Sequence, residues 1–124
     1  MKRPDLIVLI AVWEFLTSLM SFIGLGAIVV VGLQTRTWSM RQNVDYDLYS
    51  PWIHFGLIVG AGLLLIYAAA ALAAGIGLLT GREYGRVLSL VHGGLSLLFF
   101  PVGTVIGVLQ IVYLTRADVR VYFK

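Results

Sequence analysis

The chain has 124 residues, of which 60% are hydrophobic and only 12% are charged, and its mean hydropathy is +0.95. A soluble domain is usually about 45–50% apolar and about a quarter charged, and one this small cannot hide so much apolar surface. The composition therefore predicts an integral membrane protein and argues against most catalytic classes. The absence of cysteine excludes disulfides and thiolate metal sites. The net charge of +3, without a basic cluster, does not indicate a nucleic-acid partner.

Charged residues fall into four groups, and the apolar stretches between them predict the membrane spans. A helix needs roughly 20 apolar residues to cross the hydrocarbon core. The first stretch, interrupted only by Glu14, and the second each hold one helix. The third is too long for one helix, and Pro101 near its middle predicts a tight hairpin; a re-entrant hairpin is the alternative. The predicted spans are about residues 6–33, 52–80, 83–100 and 102–117.

The distribution of basic residues predicts the orientation of these spans. Four spans place both chain ends on one side, which then carries seven basic residues: Lys2, Arg3, Arg82, Arg86, Arg116, Arg120 and Lys124. The other side carries two, Arg36 and Arg41, offset by Asp45 and Asp47. The positive-inside rule therefore predicts cytoplasmic termini. The predicted fold is an all-α four-helix membrane bundle of two helical hairpins, which forms one domain over residues 1–124.

The predicted outer loop, residues 34–51, is the only long polar segment and is rich in aromatic residues. Trp38, Tyr46 and Tyr49 lie within it, and Trp52 follows directly. Amphipathic aromatics favour the headgroup region, so these residues can form an interfacial belt. Aromatic residues and arginine also anchor protein interfaces. The same four residues are therefore candidates for docking a partner.

Small and polar residues recur at three- and four-residue spacing in each predicted span, so that they share one helix face. The sets are Glu14, Thr17, Ser18 and Ser21; Gly56, Gly60, Leu63, Tyr67, Ala70 and Ala74; Ser89, His92, Gly93 and Ser96; and Gly103, Gly107 and Gln110. Lipid is as apolar as leucine, so these faces turn inward. The pattern predicts one bundle interior, with close helix packing at Gly56, Gly60, Gly93, Gly103 and Gly107.

The polar members of these faces predict a cluster inside the membrane. A rise of about 1.5 Å per residue places Glu14, Tyr67, His92 and Gln110 near the middle of the bilayer. A charge there costs roughly 2.5–3.5 kcal/mol, so we expect Glu14 to be protonated or paired with His92 and Gln110. The predicted cluster comprises Glu14, Thr17, Ser18, Tyr67, His92 and Gln110. Glu14 is then either a proton- or substrate-binding carboxylate or a hydrogen-bonded residue that fixes helix register.

His92 has a second candidate role. It lies beside Gly93 and Gly94, which leave room for a flat macrocycle, so it is a candidate axial ligand of a haem or chlorophyll-type pigment. His54 lies near the outer end of the second span and does not match its depth. No metal site is predicted, and no cofactor is expected apart from this pigment alternative. The motifs GxSxG, HExxH, Walker A and GxGxxG are absent, which argues against an enzyme.

The C-terminal third resembles a known group of proteins. The matching segments are Gly85-Arg86, Phe99-Phe100-Pro101-Val102-Gly103-Thr104, Gly107, Asp118 through Tyr122-Phe123, and the opening Arg3-Pro4. They resemble a widespread group of small uncharacterised bacterial four-span membrane proteins in a Gly-Arg start to the third helix, an F-P-x-G-T hairpin and an acidic-x3-Tyr-Phe end. The resemblance implies four membrane helices in the bacterial inner membrane and implies no activity.

The first helix carries a second, local resemblance. Trp13-Glu14 through Thr17-Ser18-Leu19-Met20-Ser21-Phe22 is similar to the first helix of small multidrug resistance transporters. In that family a membrane glutamate binds proton and cation in turn, and the resemblance implies this role for Glu14. The chain differs from the family in its long outer loop and in the three later helices.

Three functions from different classes are compatible with these features. The first is a non-catalytic accessory or scaffolding subunit of a larger membrane complex, with other membrane subunits or further copies of itself as partners. The second is a small proton-coupled transporter or pore that uses Glu14. The third is a pigment- or haem-binding membrane subunit that uses His92. The first fits best because the sequence lacks any recognisable catalytic motif.

Overall fold

The computed structural model describes residues 4–42, 46–98 and 100–124. All regular structure in these ranges is helical, which confirms the prediction of an all-α chain. In chain order the helices are α1 (Asp5–Gln42), α2 (Tyr46–Thr80), α3 (Glu83–Ser96), α4 (Val102–Thr115) and α5 (Ala117–Arg120).

The first two helices are much longer than the others. Helix α1 has 38 residues and α2 has 35, so at 1.5 Å per residue they extend about 57 and 52 Å. Their segments Asp5–Trp38 and Pro51–Thr80 are each long and apolar enough to cross a membrane, by length and composition. Helix α4 is apolar but shorter. The prediction of four spans stays a prediction.

The predicted polar loop over residues 34–51 is wrong where the structure describes it. Helix α1 continues to Gln42 and α2 begins at Tyr46. Residues 34–42 contain neither glycine nor proline, and the Thr35 and Thr37 hydroxyls each donate 2.9 Å hydrogen bonds to carbonyls of the preceding turn. Polarity marks where a helix can leave the hydrocarbon, but it does not end the helix.

The hairpin predicted around Pro101 is present, with shorter helices than expected. Helices α3 and α4 have 14 residues each, which corresponds to about 21 Å. Helix α3 ends at Ser96, before the predicted residue 100, and Pro101 directly precedes α4. The Thr104 hydroxyl donates to the Leu97 carbonyl at 2.9 Å across the connection. Proline disfavours helical geometry in the residue before it, so α3 ends upstream of Pro101.

Contacts divide the chain into two compact units. The first, here called the hairpin unit, comprises Met1–Ser18 and Ala69–Lys124; the second, the helix-pair unit, comprises Leu19–Ala68. Helices α1 and α2 each run without interruption from one unit into the other. The prediction of a single domain over residues 1–124 therefore stays a prediction.

The hairpin unit has a small apolar core to which the C-terminal residues contribute. Its buried members are Ile7, Ile10, Ala11, Leu78, Leu114, Val119 and Phe123. The sequence pattern did not predict α5 or the packing of this tail. The Lys124 N–H donates to the Gly81 carbonyl at 2.9 Å, and the Glu83 N–H donates to the Lys124 carbonyl at 3.2 Å. The tail is thereby hydrogen-bonded to the turn between α2 and α3.

Two glycine pairs in the hairpin unit let helix backbones approach closely. A Cβ atom on Gly77 would lie 2.8 Å from the Gly85 nitrogen, so α2 and α3 meet there. A Cβ atom on Gly93 would lie 3.3 Å from the Gly107 carbonyl oxygen, so α3 and α4 meet there. Small residues at such positions are typical of membrane helix packing.

The other glycines predicted to pack are more open. In the helix-pair unit, a Cβ atom on Gly60 would lie 3.8 Å from the Ile28 side chain, an ordinary contact. Gly56 is exposed, and no atom of the described residues lies within 4 Å of its Cβ position. Gly103, in the hairpin unit, is half-buried. Gly56 therefore contributes nothing to packing among the described residues.

Candidate polar site in the hairpin unit

Among the described residues, the most deeply buried ionisable side chain is that of Glu14, in the third turn of α1. Its exposed fraction is 0%. Ser18, one turn later on the same face, is 3% exposed. An ionisable group this deep is costly unless neighbouring groups satisfy it. The partners of its carboxylate therefore decide what the site can do.

Side chains from two other helices satisfy both carboxylate oxygens. The Ser89 hydroxyl of α3 donates to Oε1 at 2.7 Å, and Nε2 of Gln110 on α4 donates to the same atom at 2.9 Å. Nδ1 of His92, also on α3, contacts Oε2. Ser89 and Gln110 are 0% exposed and His92 is 5% exposed. These four residues, here called the Glu14 cluster, join α1, α3 and α4.

The local sequence explains how the cluster assembles. Ser89 and His92 are three residues apart on α3, so both point from one helix face. Gly93 follows them, and a Cβ atom there would lie 3.1 Å from the Gln110 Cβ and 3.0 Å from its Oε1. Glycine at 93 therefore leaves the space that the Gln110 side chain fills on its way to Glu14.

The Glu14–His92 contact lets the cluster avoid a net buried charge. A carboxylate with an imidazolium and a carboxylic acid with a neutral imidazole hold the same number of protons, and both pairs are neutral overall. Breaking a buried pair by removing one partner typically costs 3–5 kcal/mol, because it leaves an uncompensated group. The arrangement is therefore suited to cross-linking helices, and it also contains a titratable pair.

Two members of the predicted polar cluster contact Glu14 directly. His92 and Gln110 contact Glu14, whereas the Thr17 hydroxyl donates to the Trp13 carbonyl of its own helix at 2.9 Å. Tyr67 belongs to the helix-pair unit and is half-buried. Ser89 was absent from the predicted cluster. Its spacing from His92 was the available signal, but serine alone did not mark it as a ligand of Glu14.

A second polar contact that the sequence did not predict joins α3 to the end of α4. Arg86 is 9% exposed. Its Nε donates to Glu83 Oε2 at 3.0 Å, and Nη2 contacts the other carboxylate oxygen. Nη1 donates to the Leu114 carbonyl at 3.4 Å. A basic residue that the sequence places on the predicted cytoplasmic side is thus also bonded to the end of α4.

The candidate docking aromatics are partly described. Trp38 is 62% exposed and Trp52 is 77% exposed, both on helices of the helix-pair unit. The predicted docking residues Tyr46 and Tyr49 have side chains outside the described part of the structure. Trp38 and Arg41 line a shallow polar groove with Gln34, Thr35 and Thr37. These exposed rings therefore stand on helical surface and not on a loop.

The surroundings of His92 leave room for a macrocycle on one side at most. Nδ1 is held by Glu14, the imidazole is 5% exposed, and Gly94 is open at its Cβ position. Gly93 is one of the two glycines that were expected to leave room. Gln110 and Gly107 of α4 fill the space beside it. Among the described residues, no group of three or more His, Cys, Asp or Glu side chains could hold a metal ion.

No family model, curated protein or solved structure matches this chain in comparisons with known proteins. The resemblances to bacterial four-span proteins and to small multidrug resistance transporters therefore stay predictions. A function has to be inferred from the Glu14 cluster and from the exposed surfaces of the helices.

Proposed function

We propose that this chain is a non-catalytic integral membrane protein of the bacterial inner membrane that serves as an accessory or scaffolding subunit of a larger membrane complex. The observation that carries the proposal is the closure of the Glu14 cluster. Both carboxylate oxygens are engaged by side chains of the same chain, and Glu14 is 0% exposed. A group sealed in this way is suited to holding helices in register.

The proposed topology has both termini in the cytoplasm. Helices α1 and α2 cross the hydrocarbon core, which is about 30 Å thick, and their remaining turns extend into the outer aqueous region. The α3–α4 hairpin inserts from the cytoplasmic side. Its helices of 14 residues are shorter than the core, and the tip residues Leu98 and Phe100 are apolar and 79% and 85% exposed. We place that tip in the outer leaflet, in agreement with the re-entrant alternative.

Labelling with a membrane-impermeant thiol reagent tests this topology, because the chain has no cysteine of its own. Cysteine introduced at Ser39 or Ser50 should react from outside intact cells. Cysteine at Leu98 should react from neither side until detergent is added. Reaction of Leu98→Cys from outside would show that the hairpin crosses completely. Reaction at positions 39 and 50 only from the cytoplasm would reverse the orientation.

The exposed apolar surface supports a role in an assembly. Trp38 and Trp52 stand on turns near or beyond the hydrocarbon boundary, where aromatic rings both line the interface and anchor partners. Native mass spectrometry of the complex extracted in mild detergent tests this role directly. We expect the chain with stoichiometric membrane partners. A chain recovered alone under all mild extraction conditions would contradict the proposal.

The decisive variant is Glu14→Gln. The amide oxygen can accept from Ser89 and Gln110, and the amide nitrogen can donate to Nδ1 of His92 when the ring proton is on Nε2. The substitution therefore preserves all three contacts and removes the titratable carboxyl, and we expect the complex to assemble normally. Loss of assembly in Glu14→Gln, with normal expression and membrane insertion, would argue against a purely structural role.

A small proton-coupled transporter is the second candidate, favoured specifically by the contact between the two titratable groups Glu14 and His92. It predicts a pH-gradient-driven flux in proteoliposomes that Glu14→Gln abolishes while the fold survives. The scaffold proposal predicts no such flux from the parent chain. Flux in the parent that disappears in Glu14→Gln would replace the first proposal by the second.

A further inference from the structure

An apolar groove runs along the hairpin unit between the first turns of α1 and the later turns of α4. Its volume is about 360 Å³. Leu9, Val12 and Leu16 form one wall, and Ile106, Leu109 and Val112 form the other. Gln110 belongs to the lining, but its side chain is 0% exposed and its amide nitrogen donates to Glu14. The groove therefore offers a ligand almost pure hydrocarbon surface.

The length and the apolar lining of the groove favour a single hydrocarbon chain. Its lining begins at Leu6 and ends at Leu16 on α1, a distance of about 15 Å at 1.5 Å per residue. An α-helix with its side chains is about 10–12 Å across. An extended acyl chain is much thinner and can lie along the whole of this apolar wall.

The guanidinium group of Arg116 lies at one end of the groove. Arg116 is the last lining residue and follows the end of α4, and its guanidinium carbon lies 6.0 Å from the centre of the Tyr113 ring. Ile7 and Leu114 share the apolar core, so this end is level with the start of α1. Nε and Nη2 of Arg116 donate to Asp118 at 3.1 and 3.0 Å. Arginine has five N–H donors in a planar fork, so Nη1 and one N–H of Nη2 remain for a second acceptor.

We infer that this groove is a binding site for one anionic phospholipid. One acyl chain lies between α1 and α4, and the headgroup phosphate accepts hydrogen bonds from Arg116. Arginine suits phosphate because its planar donors match the phosphate oxygens. The inference rests on the proposed membrane insertion, which puts Arg116 at the cytoplasmic headgroup level. The apolar walls bind the chain of any lipid, and the arginine selects the anionic headgroup.

Native mass spectrometry of delipidated protein in detergent tests the inference. Phosphatidylglycerol and phosphatidylcholine with identical acyl chains are titrated separately. We expect one phosphatidylglycerol per chain, with weaker binding of phosphatidylcholine. Arg116→Gln should reduce this preference about three- to fivefold, the size expected for an exposed charge pair. Arg120→Gln is the matched control, because Arg120 is exposed but lies outside the groove, and it should keep the preference.

Filling the groove tests the acyl-chain half of the inference. Leu109→Trp should weaken binding of both lipids about tenfold, as displacement of about two methylene groups predicts. Val105→Trp is the control, since Val105 is 60% exposed and Leu109 is 61% exposed on the same helix, but only Leu109 lines the groove. Leu9→Trp fills the groove from the opposite wall and should match Leu109→Trp if the latter fails to fold.

Two outcomes would overturn the lipid site. One is a parent protein that binds no lipid or shows no preference for phosphatidylglycerol. The other is equal loss of binding in the groove variants and in Val105→Trp. Retention of the parent chain in carbonate-washed membranes is measured alongside. A chain released by carbonate would contradict the proposed membrane insertion itself, whereas a retained chain without lipid binding contradicts only the groove.

Discussion

The two compact units of this chain are stabilised in different ways. The hairpin unit contains a buried apolar core and two places where glycines let helix backbones meet. It also contains the Glu14 cluster, in which one carboxylate joins three helices. In the described part of the helix-pair unit only Ser21 and Ala68 are buried. In this unit α1 contacts α2, with Gly24 near Leu64 and Gly32 near Leu57. The first unit therefore specifies its own packing, and the second presents most of its surface to its surroundings.

If the chain lies in a membrane as proposed, this difference shows how a small protein can obtain a defined fold from few polar atoms. Apolar side chains gain little by leaving lipid, so backbone approach and directional hydrogen bonds decide which helix faces meet. Those features are concentrated in the hairpin unit. Under the proposed function, the exposed apolar faces of the helix-pair unit meet lipid and partners. The following predictions test this contrast.

The largest effect should come from adding one methyl group where backbones meet. In Gly85→Ala the new Cβ would enter the backbone of α2 at Gly77 and Leu78. We expect a loss of at least about 3 kcal/mol of unfolding free energy, since backbone cannot yield as a side chain can. Gly62→Ala in the helix-pair unit is the control, because no described atom lies within 4 Å of that position. Unfolding in mixed SDS micelles, followed by circular dichroism, gives both values; equal stability would contradict the contrast.

Removing the carboxylate without a replacement should have the next largest effect. Glu14→Leu leaves Ser89, His92 and Gln110 buried without the acceptor that they share. We expect a loss of about 3 kcal/mol, within the range for breaking a buried polar pair. Glu14→Gln should lie within about 1 kcal/mol of the parent, because an amide can form the same contacts. A Glu14→Leu protein as stable as the parent would show that the cluster does not hold the hairpin unit together.

Truncating a core side chain in the C-terminal tail should cost somewhat less. Phe123 is 7% exposed and packs in the apolar core, so Phe123→Ala should cost about 2–3 kcal/mol. Phe55 in the helix-pair unit is 64% exposed, and Phe55→Ala should change stability by less than about 0.5 kcal/mol. The same unfolding assay compares the two. A larger effect at Phe55 than at Phe123 would reverse the assignment of the stable unit.

The smallest effect on stability should come from the candidate docking surface. Trp38→Ala and Trp52→Ala remove exposed rings, so each should change the unfolding free energy by less than about 0.5 kcal/mol. Each should nevertheless reduce the amount of partner that copurifies, because buried aromatics carry much of the binding energy at interfaces. Quantitative mass spectrometry of the purified complex measures that loss. If the double variant copurified with as much partner as the parent, these rings would not dock a partner and would serve only at the membrane interface.

The candidate site was only partly predictable. The spacing of Glu14, His92 and Gln110 on their helices, together with the low polarity around them, predicted that they would meet. Ser89 belongs to the same pattern, but its position on α3 does not show that its hydroxyl meets Glu14. The pairing of Arg86 with the Leu114 carbonyl depends on how α3 lies against α4. That arrangement has no signature in the spacing of residues along one helix.

The sequence by itself determined the helical class and the position of the second hairpin. Composition favours helices, because a chain this apolar would have to satisfy its backbone hydrogen bonds internally in lipid, and Pro101 interrupts the last apolar stretch. Only the tertiary structure decided that α1 reaches Gln42, that the tail returns to Gly81 and that Gly93 makes room for Gln110. These features depend on contacts between residues distant in the chain. Periodicity shows which face of a helix is polar, but not which partner meets it.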